Sequence, residues 1–169
     1  MKAVQDNKRY DIIIGIDPDV DRNGVAFLDV ASKLLEIRTL SFPDTLDYLQ
    51  VYARYHDNVL VIIEAGWLNQ SNWHLVCRDN RAKAAAKGNA VGRNHEVGRK
   101  LAEMCEHWNI PYRLVKPLKK IWQGKDKKIT ATELTTITGY KGRTSQEGRD
   151  AALLSWVAAK LPIRISMLR

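Results

Sequence analysis

Two carboxylates stand at the ends of apolar runs that the sequence predicts to be buried strands. Asp17 ends the run at 12–16, and Glu64 ends the run at 59–63. A carboxylate at the edge of a buried sheet is costly unless its charge is compensated, and several together repel each other. We therefore expect a bound cation here. Hard divalent cations prefer oxygen ligands, and a pair of them can activate water and stabilise a leaving oxygen at phosphorus.

A third carboxylate, Asp150, lies on the apolar face of the last predicted helix. At helical spacing it falls on the centre line of a stripe formed by four residues, Leu153, Leu154, Val157 and Leu161. A solvated acid would face the other way. Glu147 lies one turn earlier on nearly the same face. If the helix packs on the sheet, all four acids can meet at one sheet edge.

Each of three acids also has a purely structural interpretation. Asp17 can begin a turn, because it precedes Pro18. Glu64 can be a strand-end residue that faces solvent. Glu147 fits a capping box in which Thr144 is the N-cap residue of the helix. These alternatives stay open, whereas the position of Asp150 on an apolar stripe favours a site.

The elements that must position these acids follow from hydrophobic periodicity and turn residues. We expect a flexible N-terminus at 1–9, a single domain at 10–162 and a C-terminal tail at 163–169. The predicted strands lie at 10–17, 24–29, 34–41, 59–64 and 112–115. The predicted helices lie at 43–55, 91–108, 131–138 and 144–161, with a long polar stretch at 66–89. Three strands joined by short turns indicate an antiparallel meander, and the helices pack on a mixed sheet in an α/β architecture.

Taken in order, the acid-bearing segments resemble a known nuclease family. The resemblance rests on three motifs, Gly15-Ile16-Asp17-Pro18, Ile63-Glu64 and Glu147-Gly-Arg-Asp150-Ala-Ala. Their order and spacing are similar to those of RuvC-like Holliday junction resolvases of the ribonuclease H-like superfamily. The resemblance spans roughly residues 12–159. It implies a ribonuclease H-like fold, with a five-stranded mixed sheet in which three antiparallel strands are followed by parallel additions, flanked by helices.

The same resemblance implies the chemistry. The catalytic and metal-binding acids would be Asp17, Glu64, Glu147 and Asp150. Lys128 matches a lysine position typical of the family. The implied cofactor is Mg²⁺, for which Mn²⁺ can substitute. The implied assembly is a homodimer that nicks two strands of a four-way DNA junction and leaves 5′-phosphates, a reaction of DNA recombination and repair. One departure is Asp19, which stands where the family usually has glycine.

Two basic segments are candidate nucleic-acid surfaces. The first lies after Glu64 and carries Trp73, Arg78, Arg81, Lys83 and Lys87. The second follows the fifth strand and carries Lys119, Lys120, Lys125 and Lys128. Aromatic rings can stack on unpaired bases while lysine and arginine contact phosphates. The alternative is that both segments are solvated, with the tryptophans of the first anchored in the core. The stretch 83–87 can also be helical.

A further acidic segment, 19–24, matches the first half of an EF-hand calcium loop. Position twelve of that loop is Val30, where a bidentate glutamate is required, and the flanks predict strands. We therefore interpret the segment as a polar hairpin turn in which Asn23-Gly24 supplies a positive φ.

The amino-acid composition limits the classes of binding partner that we expect. The 27 Lys and Arg against 19 Asp and Glu give a net charge of +8. This favours a polyanionic partner, nucleic acid before membrane. Two cysteines outside any CxxC pattern argue against a disulfide framework or zinc site and fit a reducing cytoplasm. The polar N-terminus predicts no signal peptide, and no apolar run reaches membrane-span length.

Three functions remain from these observations. The first is a magnesium-dependent endodeoxyribonuclease of the crossover-junction type, cleaving phosphodiester bonds in branched DNA. The second is a ribonuclease H-like nuclease that acts on RNA or an RNA–DNA hybrid. The third is a non-catalytic DNA-binding module of the same fold, against which the presence of all four acids argues.

Overall fold

A computed structural model describes residues 8–69 and 81–163 of the chain. Its five strands are β1 (Ile12–Asp17), β2 (Asn23–Asp29), β3 (Leu35–Leu40), β4 (Val59–Glu64) and β5 (Tyr112–Val115). Its four α-helices are α1 (Phe42–Tyr55), α2 (Arg81–His107), α3 (Ala131–Thr138) and α4 (Gln146–Ala158). Two short 3₁₀ turns are formed by Gly66–Leu68 and Lys125–Lys127. Every predicted strand and helix is therefore present, and the differences lie at the boundaries.

The strands form one mixed sheet in the order β3-β2-β1-β4-β5. The first three strands are antiparallel neighbours, whereas β4 runs parallel to β1 and β5 runs parallel to β4. This is the five-stranded mixed sheet that was predicted, with the parallel strands added to an antiparallel meander. Because Ile16 pairs with Ile63 across β1 and β4, Asp17 and Glu64 end neighbouring strands at the same edge.

Helices cover both faces of the sheet. On one face, alternate residues of the central strands pack with α1 and α2, as Ile14, Leu49 and Leu101 show by their burial in one cluster. On the other face, α3 and α4 cover β2, where Ala26 and Ala151 share a second cluster. A central strand covered on both sides must be apolar throughout rather than alternating. This explains the uninterrupted apolar runs before Asp17 and Glu64.

Close approach of backbones seats α4 on the sheet. A Cβ atom at Gly15 would lie 2.2 Å from the carbonyl oxygen of Ala151, and one at Gly24 would lie 2.0 Å from that of Glu147. Neither position can hold a larger residue without displacing the helix. Gly24 also pairs with Asp17, so the first turn of α4 lies beside the strand end that carries the first acid.

Two helices differ from the prediction by more than one residue at their N-terminal ends. Helix α2 is described from Arg81 rather than from 91, so the second part of the predicted polar stretch is helical. Its first turns lack an apolar stripe, and therefore periodicity could not reveal them. Helix α4 begins at Gln146, because the N-cap residue is Ser145, whose hydroxyl accepts from the backbone N–H of Gly148. The predicted capping box with Thr144 as N-cap is therefore wrong.

The turn between β1 and β2 is held by side chains rather than by a left-handed residue. The carboxylate of Asp19 accepts from the backbone N–H groups of Asp21 and Arg22, and the Asn23 side chain accepts from the N–H of Asp19. Neither Asn23 nor Gly24 has a positive φ. The predicted positive φ is therefore wrong, and Gly24 is required by the approach of α4 instead.

The predicted terminal segments fall largely outside the described ranges, so their flexibility stays a prediction. Within those ranges, no helix is both long and apolar enough to cross a membrane.

Candidate active site

Three acids that are far apart in the sequence converge on one cavity. Asp17 at the end of β1, Glu64 at the end of β4 and Asp150 on α4 all line it. The remaining lining residues are Pro117, Leu118, Lys119, Lys120, Trp122, Lys128 and Leu153. The parallel pairing of β1 with β4 brings the first two acids together, and the docking of α4 over Gly15 and Gly24 brings the third.

The cavity makes ionisation of Asp17 unfavourable. Burial raises the pKa of Asp17 well above its usual value, and the negative charges of Glu64 and Asp150 raise it further. Lys128 opposes this shift, and a weaker upward influence comes from Glu147. Asp17 is therefore the acid of the cluster whose ionised form a bound cation would stabilise most.

Glu64 shows the same effect to a smaller degree. Burial raises the pKa of Glu64 from 4.5 to about 7, and the charge of Asp150 adds to the rise. Lys120 and Lys128 lower this pKa, because their positive charges face the carboxylate. At neutral pH the group is therefore close to half-protonated, as expected of an acid whose compensating charge is incomplete.

Asp150 is the best compensated of the three acids. Burial raises its pKa, but Lys128 is the largest influence in the opposite direction. The Lys128 ammonium nitrogen lies 3.6 Å from Oδ2 of Asp150, and the side-chain amide of Gln146 donates to Oδ1 at 3.0 Å. Both contacts hold the carboxylate toward the cavity rather than toward solvent.

Glu147 influences the pKa of Asp17 more weakly than the other acids do. It is in the first turn of α4, and its charge is the weakest of the influences that shift the pKa of Asp17. The cavity lining, as the described residues define it, does not include it. The structure thus places Glu147 near the cluster, and its predicted role as a ligand stays a prediction.

The donor chemistry of the cluster fits a divalent cation. Asp17, Glu64 and Asp150 supply hard oxygen donors. Burial raises the pKa of all three, and repulsion between the acids adds to the rise for Asp17 and Glu64, whereas Lys128 opposes it. Within residues 8–69 and 81–163, however, no three or more acidic, histidine or cysteine side chains are already grouped closely enough to hold a metal ion. A bound cation would therefore draw the carboxylates closer together.

The second basic segment forms one wall of the cavity. Lys119, Lys120 and Lys128 line it, whereas Lys125 is exposed in the adjoining 3₁₀ turn. Trp122 also lines the cavity and packs against the cluster that contains Ala26 and Ala151. The basic loop that we predicted to follow the fifth strand is therefore adjacent to the acids, as its position suggested.

Glu133, which the sequence interpretation missed, anchors this loop. One of its carboxylate oxygens accepts from the N–H and hydroxyl of Thr130, and the other accepts from the N–H of Gln123. The first pair completes a capping box at the start of α3. The Thr130-x-x-Glu133 spacing was a readable signal for that box, but the bond to Gln123 spans the loop and is a tertiary contact.

The first basic segment is only partly described. Trp73 and Arg78 lie outside the described residues. Arg81, Lys83 and Lys87 belong to the first turns of α2, where the structure does not describe their side chains. Their predicted contacts with nucleic acid stay predictions.

Nearer to Glu64, the described part of this segment is anchored to α2. The Trp67 ring packs against His95, with centroids 5.9 Å apart, and the Arg99 guanidinium lies 5.3 Å from its centroid. A Cβ at Gly98 would lie 2.7 Å from the same ring. Trp67 is therefore an anchor between the β4 end and α2.

Comparison with known proteins finds similarity among solved structures but not among family models or curated proteins. No family model and no curated protein matches the sequence. Among solved structures, the chain is similar to Thermus thermophilus RuvC in complex with a Holliday junction substrate, with 19% identity, a TM-score of 0.48, and coverage of 85% of this chain and 89% of that one. A second T. thermophilus RuvC structure gives 17% identity, a TM-score of 0.45, and coverage of 85% and 90%. These are structures of the family that the motifs resemble. The observed sheet, rather than these scores, establishes the fold class.

Proposed function

We propose that this protein is a divalent-cation-dependent endonuclease that cleaves phosphodiester bonds in branched DNA, with four-way junctions as its substrate. The observation that carries the proposal is the shared cavity of Asp17, Glu64 and Asp150, in which burial and mutual repulsion raise the pKa of each of the first two acids. A cluster of incompletely compensated carboxylates that is lined by lysines can bind a cation together with a phosphodiester.

Asp17, Glu64 and Asp150 would hold the cation, with Glu147 completing the set from the first turn of α4. When bound, Mg²⁺ or Mn²⁺ supplies activation of the attacking water and stabilisation of the leaving oxygen. The lysine side chains of the site would have a different role. Lys128 neutralises part of the carboxylate charge, which lets a phosphate approach an otherwise repulsive site. Lys119 and Lys120, both exposed at the rim, would contact flanking phosphates and orient the strand.

The branched substrate and the homodimer are the finer parts of the proposal. They are supported by the motif resemblance to RuvC-like resolvases, whose symmetric cuts need two active sites at a fixed separation. The apolar stripe of α2 does not offer a dimer surface, because it packs on the sheet through Leu101 and Cys105. We therefore place the proposed dimer contact in the N-terminal described turns of α2, where a Cβ at Gly88 or Gly92 would meet no described atom within 4 Å. Action in the cytoplasm fits the free, buried thiol of Cys105.

A cleavage assay separates this proposal from its two alternatives. Four-way junction, linear duplex, RNA–DNA hybrid and single-stranded substrates are incubated with and without Mg²⁺. We expect cation-dependent cleavage of the junction. Preferential cleavage of the hybrid or of RNA would move the protein to the second function, and binding without cleavage of any substrate would leave a DNA-binding module.

A structural experiment tests the site directly. Crystals soaked in MnCl₂ are expected to show anomalous density between Asp17, Glu64 and Asp150. Manganese that binds only elsewhere would contradict the assigned ligands, whatever the assay shows.

A further inference from the structure

An apolar side chain is exposed beside the acidic cavity. Ile121 has 72% of its surface exposed. Its two neighbours in the chain, Lys120 and Trp122, both line the cavity. Exposed apolar residues are common on protein surfaces and by themselves need no explanation. What distinguishes Ile121 is its place between a lysine and a tryptophan that both line the acidic cavity.

The loop that carries Ile121 is held in place on both sides. Directly after it, the N–H of Trp122 donates to the carbonyl of Lys127 at 3.2 Å, and the N–H of Gly124 donates to that of Lys128 at 3.0 Å. The N–H of Gln123 donates to the carboxylate of Glu133 at 3.1 Å. Before it, Leu118 packs against the cluster that contains Ala26 and Ala151 and against a further cluster that contains Ile13 and Leu154. Ile121 is therefore presented to solvent by an anchored segment.

The charge around this side chain suits a nucleic acid rather than an apolar protein partner. Lys119 and Lys120 directly precede Ile121 and are exposed, and Lys116, Lys125 and Lys127 lie in the same segment and are exposed as well. An apolar residue within a basic surface can enter a base step while the flanking cations contact the two phosphates. Proteins that bend or open DNA use isoleucine, leucine and methionine in this way.

We propose that Ile121 is a wedge that inserts between bases of the bound DNA next to the cleavage site and partly unstacks them. This inference rests on the proposed function, because it takes branched DNA as the ligand. A four-way junction suits such a wedge, since stacking is already interrupted at its branch point and the remaining unstacking costs less than in a continuous duplex. Ile121 would then contribute to substrate preference without taking part in the chemistry.

The test uses fluorescence rather than cleavage as its first measurement. Junctions carrying 2-aminopurine at successive positions around the branch point are titrated with full-length protein in the absence of divalent cations. 2-Aminopurine becomes brighter when it is unstacked. We expect the wild type to brighten at least one position. Ile121→Ser should lose most of that rise and bind the junction about tenfold more weakly, because it no longer buries an apolar side chain against the bases. Ile121→Leu should retain both properties.

The matched control is Leu34→Ser. Leu34 is exposed to a similar degree, 68%, but it precedes β3 at the sheet end opposite the cavity, where Leu28 pairs with Leu35. It should behave as the wild type does. An Ile121→Ser protein that melts as the wild type does and gives the same fluorescence rise would overturn the wedge. So would a wild type that binds and cleaves junctions without any brightening, and in that case the proposed function would stand. A wild type that cleaves no substrate would instead refute the proposed function.

Discussion

The ammonium group of Lys128 lies 3.6 Å from the Asp150 carboxylate, and it lowers the pKa of all three acids that line the cavity. Lys128 therefore occupies part of the electrostatic role that a metal ion would take. It competes with a cation for the same carboxylates, while it favours the approach of a phosphate.

Replacement of Lys128 should separate these two effects. Lys128→Met is expected to bind Mn²⁺ at least about tenfold more tightly, because removing a positive charge a few ångströms away is worth more than 1 kcal/mol at a partly buried site. The same variant should bind DNA more weakly. Calorimetric titration with Mn²⁺ measures the first effect. Lys100→Met, which removes an exposed charge on α2, is the control, and weaker Mn²⁺ binding by Lys128→Met would show that Lys128 supports the cation site.

Asp17 should be required for cleavage but not for binding. Asp17→Asn removes a proposed cation ligand and is expected to lower the cleavage rate by at least about a hundredfold. DNA binding should be unchanged or tighter, because the variant also removes a charge that repels phosphate. Asp47→Asn makes the same change in charge on the exposed side of α1 and should leave both properties unchanged. Equal Mg²⁺-dependent cleavage by wild type and Asp17→Asn would refute the assignment.

The raised pKa of Glu64 predicts how stability depends on pH in the metal-free protein. The group ionises near 4.5 when unfolded and near 7 when folded, so unfolding releases its proton between these values. This group's contribution to stability is therefore greatest at low pH and is lost as pH rises through that window. Glu64→Gln should be more stable than wild type at pH 8, by a few kcal/mol at most.

The difference between these two proteins should close toward pH 4.5, as followed by chemical denaturation without divalent cations. Glu106→Gln, at an exposed position of α2, serves as the control and should show no such trend. A Glu64→Gln variant less stable than wild type at pH 8 would contradict the raised pKa. Addition of Mg²⁺ should stabilise the wild type and not Glu64→Gln.

The docking of α4 predicts opposite effects of the same substitution at different glycines. Gly15→Ala and Gly24→Ala each place a Cβ within 2.2 Å of an α4 carbonyl oxygen, and each should destabilise the fold by at least about 2 kcal/mol. Gly92→Ala, in the open part of α2, should instead stabilise it by roughly 0.5–1 kcal/mol. Denaturant midpoints measure all three, and tolerance of alanine at Gly15 would contradict the close packing of α4.

Binding should depend steeply on salt and should prefer branched DNA. Each lysine that contacts a phosphate contributes about one to the slope of log K against log salt, so Lys119→Ala with Lys120→Ala should reduce that slope by about 2. Lys100→Ala should leave it unchanged. Gel-shift competition between a four-way junction and a duplex of equal length gives both measurements. A steep slope without junction preference would keep the nuclease and exclude the resolvase.

Local sequence was sufficient to locate the strands and helices approximately and to single out the three acids that line the cavity. Strands β4 and β5 and helix α3 have the predicted bounds, because apolar runs and helix-ending residues act within a few positions. Asp17 and Glu64 were found because each ends such a run. Asp150 was found because an acid on an apolar helical stripe is costly unless it faces a site.

Tertiary structure decided what local patterns leave open. Ser145 and Thr144 are both good N-cap residues. Ser145 is the N-cap in the structure, and its hydroxyl also contacts the hydroxyl of Thr39 on β3. Arg149 donates to the carbonyl and the hydroxyl of Thr144 instead. Hydrophobic periodicity could not reveal the turns of α2 between Arg81 and residue 91, because these turns have no apolar stripe. The raised pKa values, the anchoring by Glu133 and the exposure of Ile121 arise only when segments far apart in sequence meet, since desolvation and charge coupling depend on distance in space.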